Sequence, residues 1–296
     1  MLNRNLGGLT LTLWIAAACI WLGTASTAHA VGPLFRKPDP LGAKTDAKTK
    51  ADAMRAIPRD RLTPDALAKV DAVLGDVAIF RRMPIRVVPC DPGMYLFLVR
   101  HPDVVVNVWD VLQLSELAMS QTAPGQFAVT DNQGTDGHVE FLYQGSDMHI
   151  IYSEGKYDGP LTKKPLTGRS LVVLKTGYVR EPDGRYYITS RLDAFVQVDH
   201  RGIELLTKTL HPLVGKVADV NFTQTVAFVG SLSKTAEVDP DGMQRLAGRL
   251  DKIDPQVAQQ FATLSAEVAS KAAQLSEKSS VGAPSMVNRT SLEAIR

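Results

Sequence analysis

"MYLFLVRHPDVVVNVW", residues 94–109, decides how the chain is built. It is the most apolar stretch after the first thirty residues, yet Arg100, His101, Pro102 and Asp103 stand at its centre. Pro102 has no amide hydrogen and disfavours helical geometry at His101, so the stretch divides into a helix ending near Arg100 and a second element starting at Pro102 or Asp103. Val104, Val105 and Val106 favour a strand by propensity. Asp103, Asn107 and Asp110, however, are spaced by four and three, which collects them on one narrow helical face and leaves Val104, Val105, Val108, Trp109 and Leu112 around the rest. The spacing predicts a buried helix, with Arg100 to Asp103 as an elbow on a solvent-facing corner.

Upstream, Asp91 and Pro92 supply a cap and a first helical residue, so the first helix runs from there through Val99. Met83 to Val88 reads as a strand. A further helix is predicted from about Pro64 to Phe80, where Leu67, Val70, Val73, Leu74 and Val77 recur at three- and four-residue spacing behind the cap Thr63. Downstream the pattern changes to strands joined by tight turns. Ala118 to Ser120 and Gln126 to Val129 flank Pro124-Gly125, His138 to Tyr143 and Met148 to Tyr152 flank Gly145-Ser146-Asp147, and Leu171 to Val179 and Arg185 to Val198 flank Pro182-Asp183-Gly184. In the last strand Tyr186, Ile188, Ser190, Leu192, Ala194, Val196 and Val198 form a nearly apolar face and the residues between them a mostly polar one, as in an antiparallel sheet with one wet side. A long helical tract from Gly202 offers an apolar face to the dry side; Pro212 interrupts it, and Gln224 falls in its stripe and argues against one unbroken helix.

Residues 1–30 have the order of an export signal: Arg4, the apolar run Leu9 to Leu22, then Ala28-His29-Ala30 as a cleavage site. The run is shorter than the ~20 residues that span a bilayer; a retained anchor and a lipidated Cys19 are the alternatives. The expected location is the periplasm, cell envelope or extracellular space. Removing the signal takes the basic residues from 33 to 32 against 31 acidic ones, so the mature chain is close to neutral and has no electrostatic case for nucleic acid or an anionic membrane. Cys90 is then the one mature cysteine, which excludes an internal disulfide and a cysteine-based zinc site.

Composition divides the remainder. Residues 31–62, with Pro33, Pro38, Pro40 and Pro58 among Lys, Asp, Ala and Thr, read as a disordered linker. Residues 63–236 form one α+β domain, 237–278 amphipathic C-terminal helices, and 279–296 a disordered polar tail. Val257, Phe261, Leu264, Val268, Ala272 and Leu275 make a stripe along residues 254–277, which either folds back on the domain or joins a second copy.

The order of strand, two short helices, antiparallel strands and long C-terminal helix resembles the helix-grip fold of the START-like superfamily, which includes lipid-transfer domains and polyketide cyclases. "CDPGMYLFLVRHPDVVVNVW", residues 90–109, is similar to its opening, with Pro92, Pro102 and Trp109 at the corresponding places. The resemblance implies an antiparallel curved sheet gripping a long helix around a pocket. In that reading Trp109, Tyr143, Tyr152, Tyr186 and Ser190 line the space between sheet and helix, with polar tips orienting an apolar ligand; the bland alternative is a filled core.

No metalloprotease, nucleophile-elbow, phosphate-loop, CxxC or dinucleotide motif is present. His138, His149, His200 and His211 show no ligand spacing, so neither a metal nor a cofactor is expected, and Cys90 reads as a small core residue. The function expected is an exported carrier or binding protein for a hydrophobic small molecule or lipid. A non-catalytic envelope interaction protein with a filled core is the alternative, and a cyclase- or dehydratase-type enzyme a third; the pocket itself discriminates among them.

Overall fold

The structure, a computed structural model, describes residues 41–159, 165–199 and 211–281. The expected signal at 1–30, the start of the long helix at Gly202 and most of the 279–296 tail lie outside the described residues.

Eight antiparallel strands form one sheet: β1 (Ile79–Arg82), β2 (Arg86–Pro89), β3 (Ala118–Ala123), β4 (Gln126–Thr130), β5 (Thr135–Gln144), β6 (Met148–Tyr157), β7 (Leu166–Arg180) and β8 (Tyr186–Val198). Their order is β1-β8-β7-β6-β5-β4-β3, and β2 also pairs with β8. β1 and β2 are thus two halves of one border strand, parted at Met83 to Ile85, where a single strand was expected from Met83. The β7–β8 hairpin closes through Gly184 at φ 87°, a conformation that suits glycine. Register shifts mark bulges at Gln121/Ala123 and Phe141/Tyr143, which bend the far side of the sheet.

The expected elbow is present. Asp91 accepts from the amides of Gly93 and Met94 to start helix Pro92–Arg100, and Pro102 starts a second helix, Pro102–Val111, in which Asp103 to Trp109 are all buried. Two N-terminal helices of similar length precede them, Ala47–Arg55 and Pro64–Leu74, and three follow the sheet: His211–Val238, Pro240–Ala247 and Pro255–Val281. In chain order these helices are α1 (Ala47–Arg55), α2 (Pro64–Leu74), α3 (Pro92–Arg100), α4 (Pro102–Val111), α5 (His211–Val238), α6 (Pro240–Ala247) and α7 (Pro255–Val281). The long helix α5 lies on the inner face of the sheet, where Ala218, Phe222 and Val226 pack with Val172, Leu192, Ala194 and Val196. Arg81 on β1 donates to both carboxylate oxygens of Asp219 at 2.7 and 2.5 Å, and a Cβ at Gly230 would stand 3.1 Å from Val88 Cβ, so α5 and β2 meet closely. This is an α+β helix-grip architecture.

Five expectations are corrected. α2 stops at Leu74, and Ile79 and Phe80 belong to β1; Val77 and Phe80 continue the helical spacing by coincidence of a strand that follows closely. α5 is continuous from His211 to Val238, with Gln224 accommodated within it. The linker assigned to 31–62 is folded from residue 41 on. The backbones of Leu41 and Lys44 bond to Ile85 and Arg82 beside β1, and α1 follows behind the cap Asp46. Ala53, Ile57 and Leu62 are buried with Val70 and Val73 of α2 against Phe80, Ile150, Leu171 and Phe195. A few well-spaced apolar side chains were enough, in a segment whose bulk composition is polar.

That layer also removes the wet side. Phe195 and Asp193, on the face of β8 expected to be solvated, are 0% and 1% exposed. Asp193 is accommodated there because Arg82 donates to both its oxygens, at 2.5 and 2.9 Å. Finally, the stripe of α7 is used within the chain: Val257, Phe261 and Val268 are buried in the main core and α7 packs on α5 and α6, so it is not left open for a second copy.

Replacing Phe195 with alanine is expected to cost about 3–5 kcal/mol, because the ring sits beneath α1 and α2 and 5.1 Å from Phe80. Val87→Ala, at a residue 54% exposed, is expected to change stability by no more than about 0.5 kcal/mol. Denaturant unfolding of the two variants checks this; equal, small effects would mean the outer face is solvated after all.

Candidate functional site

The five residues expected to share one cavity are divided by the sheet. Tyr143 and Tyr152 belong to the outer cluster under α1 and α2. Tyr152 donates to Glu154 at 2.6 Å, and the Tyr143 hydroxyl accepts from Arg61 at 3.3 Å. Trp109, Ser190 and Tyr186 stand on the inner side, but apart. Trp109 is fully buried with its ring 5.6 Å from that of Phe228. Ser190 is fully buried too, and its hydroxyl is spent on Tyr95 at 2.9 Å, with Thr176 a further 3.3 Å from the same phenol. Tyr186 lies under the Arg180 guanidinium, 5.6 Å from its ring centre, on a groove beside α7. The grouping of all five around one ligand is therefore corrected: alternation along a strand assigns residues to faces only when the strand has no bulge and the covering layers are known.

The elbow is likewise more than a solvent-facing corner. Arg100 reaches the Gly145 carbonyl in the β5–β6 turn at 3.4 Å, and the Asp103 carboxylate is 1% exposed, where burial raises its pKa. Beneath the elbow His149 is fully buried with neither ring nitrogen bonded. Burial first, then the neighbouring Arg100 cation, push its pKa down to about 4, with Asp147 opposing. Cys90 is also buried, and burial pushes its thiol up to about 12, so it is no nucleophile at neutral pH.

A hollow with largely apolar walls lies elsewhere, between α4 and the β3–β4 hairpin. It is a pocket of about 440 Å³. Val106, Leu117, Met119 and Val129 give it apolar walls, and Asn107, Asp110, Asp136 and Lys252 supply its polar groups. The polar stripe of α4 now has its structural partner: the α6–α7 connection. The Lys252 amide donates to Asn107 Oδ1 at 3.2 Å, Lys252 Nζ pairs with Asp110 at 2.7 Å, and Arg249 donates to the Val111 carbonyl at 3.2 Å. The sequence singled out Asp103, Asn107 and Asp110 as one face but did not connect them with a site. The partner Lys252 is 145 residues from Asn107, and no local pattern carries that information. Two other hollows are larger and more polar: about 780 Å³ along the exposed ends of β5 to β8, and about 770 Å³ between the β7–β8 turn and α7. Among the described residues no group of three or more His, Cys, Asp or Glu could hold a metal ion.

The sheet order, the elbow and α5 together define the class: an α+β helix-grip fold, in which an antiparallel sheet holds a long C-terminal helix against its inner face. No protein-family model and no curated protein matches the sequence. Among solved structures, a conserved protein from Geobacillus kaustophilus is similar at 9% identity over 51% of this chain and 93% of its own, with a TM-score of 0.37. A hypothetical protein from Helicobacter pylori is similar at 12% identity over 54% and 93%, with a TM-score of 0.35. A norcoclaurine synthase from Thalictrum flavum matches at 12% identity over 51% and 96%, with a TM-score of 0.29.

His149 makes a test of this interior. Its folded pKa lies below the value of about 6.5 for an unperturbed histidine, so its contribution to stability is fully present above pH ~6.5 and is lost as pH falls toward about 4, where the folded form titrates. At about 1.4 kcal/mol per pH unit the loss amounts to on the order of 3 kcal/mol. Unfolding free energies across this range are expected to show that slope in the native protein, and His149→Phe to flatten it; an unchanged slope in the variant would assign the effect to other groups.

Proposed function

We propose that this chain is an exported binding protein that carries an apolar small molecule or lipid, held between α4 and the β3–β4 hairpin. The observation that carries the proposal is the 440 Å³ pocket with apolar walls and a small set of polar groups at its mouth, which has the size and make-up of a small-molecule site. At about 30 Å³ for each water-sized group it has room for on the order of ten to fifteen heavy atoms. Export is supported by the order of residues at 1–30, and among the described residues no helix is long and apolar enough to cross a membrane.

A second reading, a non-catalytic envelope interaction protein, is favoured by the close packing around Trp109 and Ser190, which line none of the three hollows described above. One experiment separates the two. Native mass spectrometry of the exported protein is expected to give a chain beginning at Val31 with an adduct that organic extraction removes. Met119→Trp, which fills the pocket, is expected to weaken rebinding of the extract at least about tenfold while leaving the unfolding transition cooperative. A ligand-free mass combined with no uptake of a neutral apolar dye such as N-phenyl-1-naphthylamine would decide for the interaction protein.

A further inference from the structure

We infer that the outer face of the sheet across β2, β8 and β7, near the β7–β8 turn, is a docking surface for an amphipathic helix of a partner protein whose apolar stripe is flanked by carboxylates. It uses none of the residues of the α4–β3/β4 pocket and does not depend on that reading.

α1 and α2 cover the outer face only in part. Their apolar side chains rest on Phe80, Ile150, Leu171 and Phe195, and the buried cluster ends at Val173. Toward the turn the outward residues continue in two rows set by the strand register: Gly177, Thr189 and Val87, then Val179, Tyr187 and Pro89. Val87 is 54% and Val179 50% exposed, against 0% for Val173 and Phe195 on the same face. An apolar sheet face is stabilised by a second layer laid on it, and none of the described residues supplies one here. A strand pairs with an edge and leaves a face bare, so the fitting cover is a helix, as on the rest of this face. Gly177, exposed and without a side chain, leaves a dip beside Thr189 for a side chain of that helix.

The charges give the partner its chemistry. Lys175 and Arg191 stand opposite each other on β7 and β8, between the covered part of the face and the bare part. Like charges so placed repel, and neither has an ion pair or hydrogen bond among the described residues. Burial first, then Arg191, hold the Lys175 pKa below its ordinary value. Of the carboxylates that act on Lys175, Asp193 is taken by Arg82 at 2.5 and 2.9 Å, and Asp147 on the β5–β6 turn lies beyond ion-pair distance. Arg191 Nε is enclosed, so contact falls to the terminal nitrogens of the guanidinium and to Lys175 Nζ, which are not. Carboxylates flanking the stripe of a covering helix satisfy these cations, whereas lysine or arginine in their place adds to the repulsion. A second copy docked through the same patch brings two more cations and relieves nothing.

The test uses the full exported chain and a phage-displayed library of helical peptides of about fifteen residues, each with a fixed apolar stripe and random flanks. Selected peptides are expected to carry Asp or Glu on the flanks. By fluorescence anisotropy their affinity is expected to fall at least about tenfold for Val179→Glu and for the double variant Lys175→Glu, Arg191→Glu. Selection on the double variant is expected to return Lys or Arg instead. Thermal unfolding is measured alongside; if the double variant does not fold, the flank composition selected by the unmodified chain and the effect of Val179→Glu decide. Flanks without acidic enrichment, affinities that neither variant moves, or recovery of no peptide overturn the inference. Dimerisation in light scattering that Val179→Glu removes assigns the face to a second copy. Binding to phosphatidylglycerol vesicles without peptide binding assigns it to a membrane. Either of these also overturns the inference.

Discussion

The inner side of this protein depends on one missing hydrogen. Because Pro102 cannot donate, the helix that begins at Asp91 has to end at Arg100, and the chain turns at His101 before helical geometry resumes. Without that turn a single rod would run past the sheet. With it, two short helices lie against the sheet's inner side and deliver different residues to different strands: Tyr95 to Thr176 and Ser190 on β7 and β8, and Trp109 to the core beside α5. The same turn aims the polar stripe of α4 at the α6–α7 connection, so the C-terminal helices are fastened to the elbow through Asn107 and Asp110. Position of the pocket follows from this geometry, since α4 forms one wall of it.

A second constraint is that both faces of the sheet are covered. α5 fills the inner face, and α1 and α2 the outer one, so the central strands carry apolar residues at successive positions, as in Leu171, Val172, Val173 and Leu174 of β7. The polar residues caught between layers are paired instead of solvated. Asp193 with Arg82 and Ser153 with Ser170 are examples, the second at 2.6 Å. His149 departs furthest from this, buried with neither ring nitrogen bonded and with burial holding its pKa low.

How much of this was legible depended on whether the signal was local. Proline, cap and turn chemistry act within a few residues, so the elbow, both its helices and all three hairpins were readable, and the valines of 104–106 gave way to the four-and-three spacing of Asp103, Asn107 and Asp110. Gly75 ended α2, but the apolar spacing continued into Val77 and Phe80 and masked the start of β1. Residues 41–62 looked too polar to fold, because composition averages over a window while packing needs Ala53, Ile57 and Leu62 alone. The residues of the candidate site were the least legible. Tyr143 and Tyr152 were sound as aromatic strand residues and wrong in face, and Asn107 with Lys252 is a pairing that only the folded chain brings about.

The two borders of the sheet are treated differently, and this bears on how copies of the chain behave toward each other. Beside β1 the backbone of Leu41 and Lys44 occupies the groups that another strand would seek. β3, at the opposite border, has no strand on its outer side among the described residues, and its sequence AMSQTA contains no charge and no proline. The register shift between Gln121 and Ala123 is then its guard: a bulge interrupts the even row of donors and acceptors that edge-to-edge growth requires. What served as a bend in a curved sheet also makes that border a poor template for a further strand.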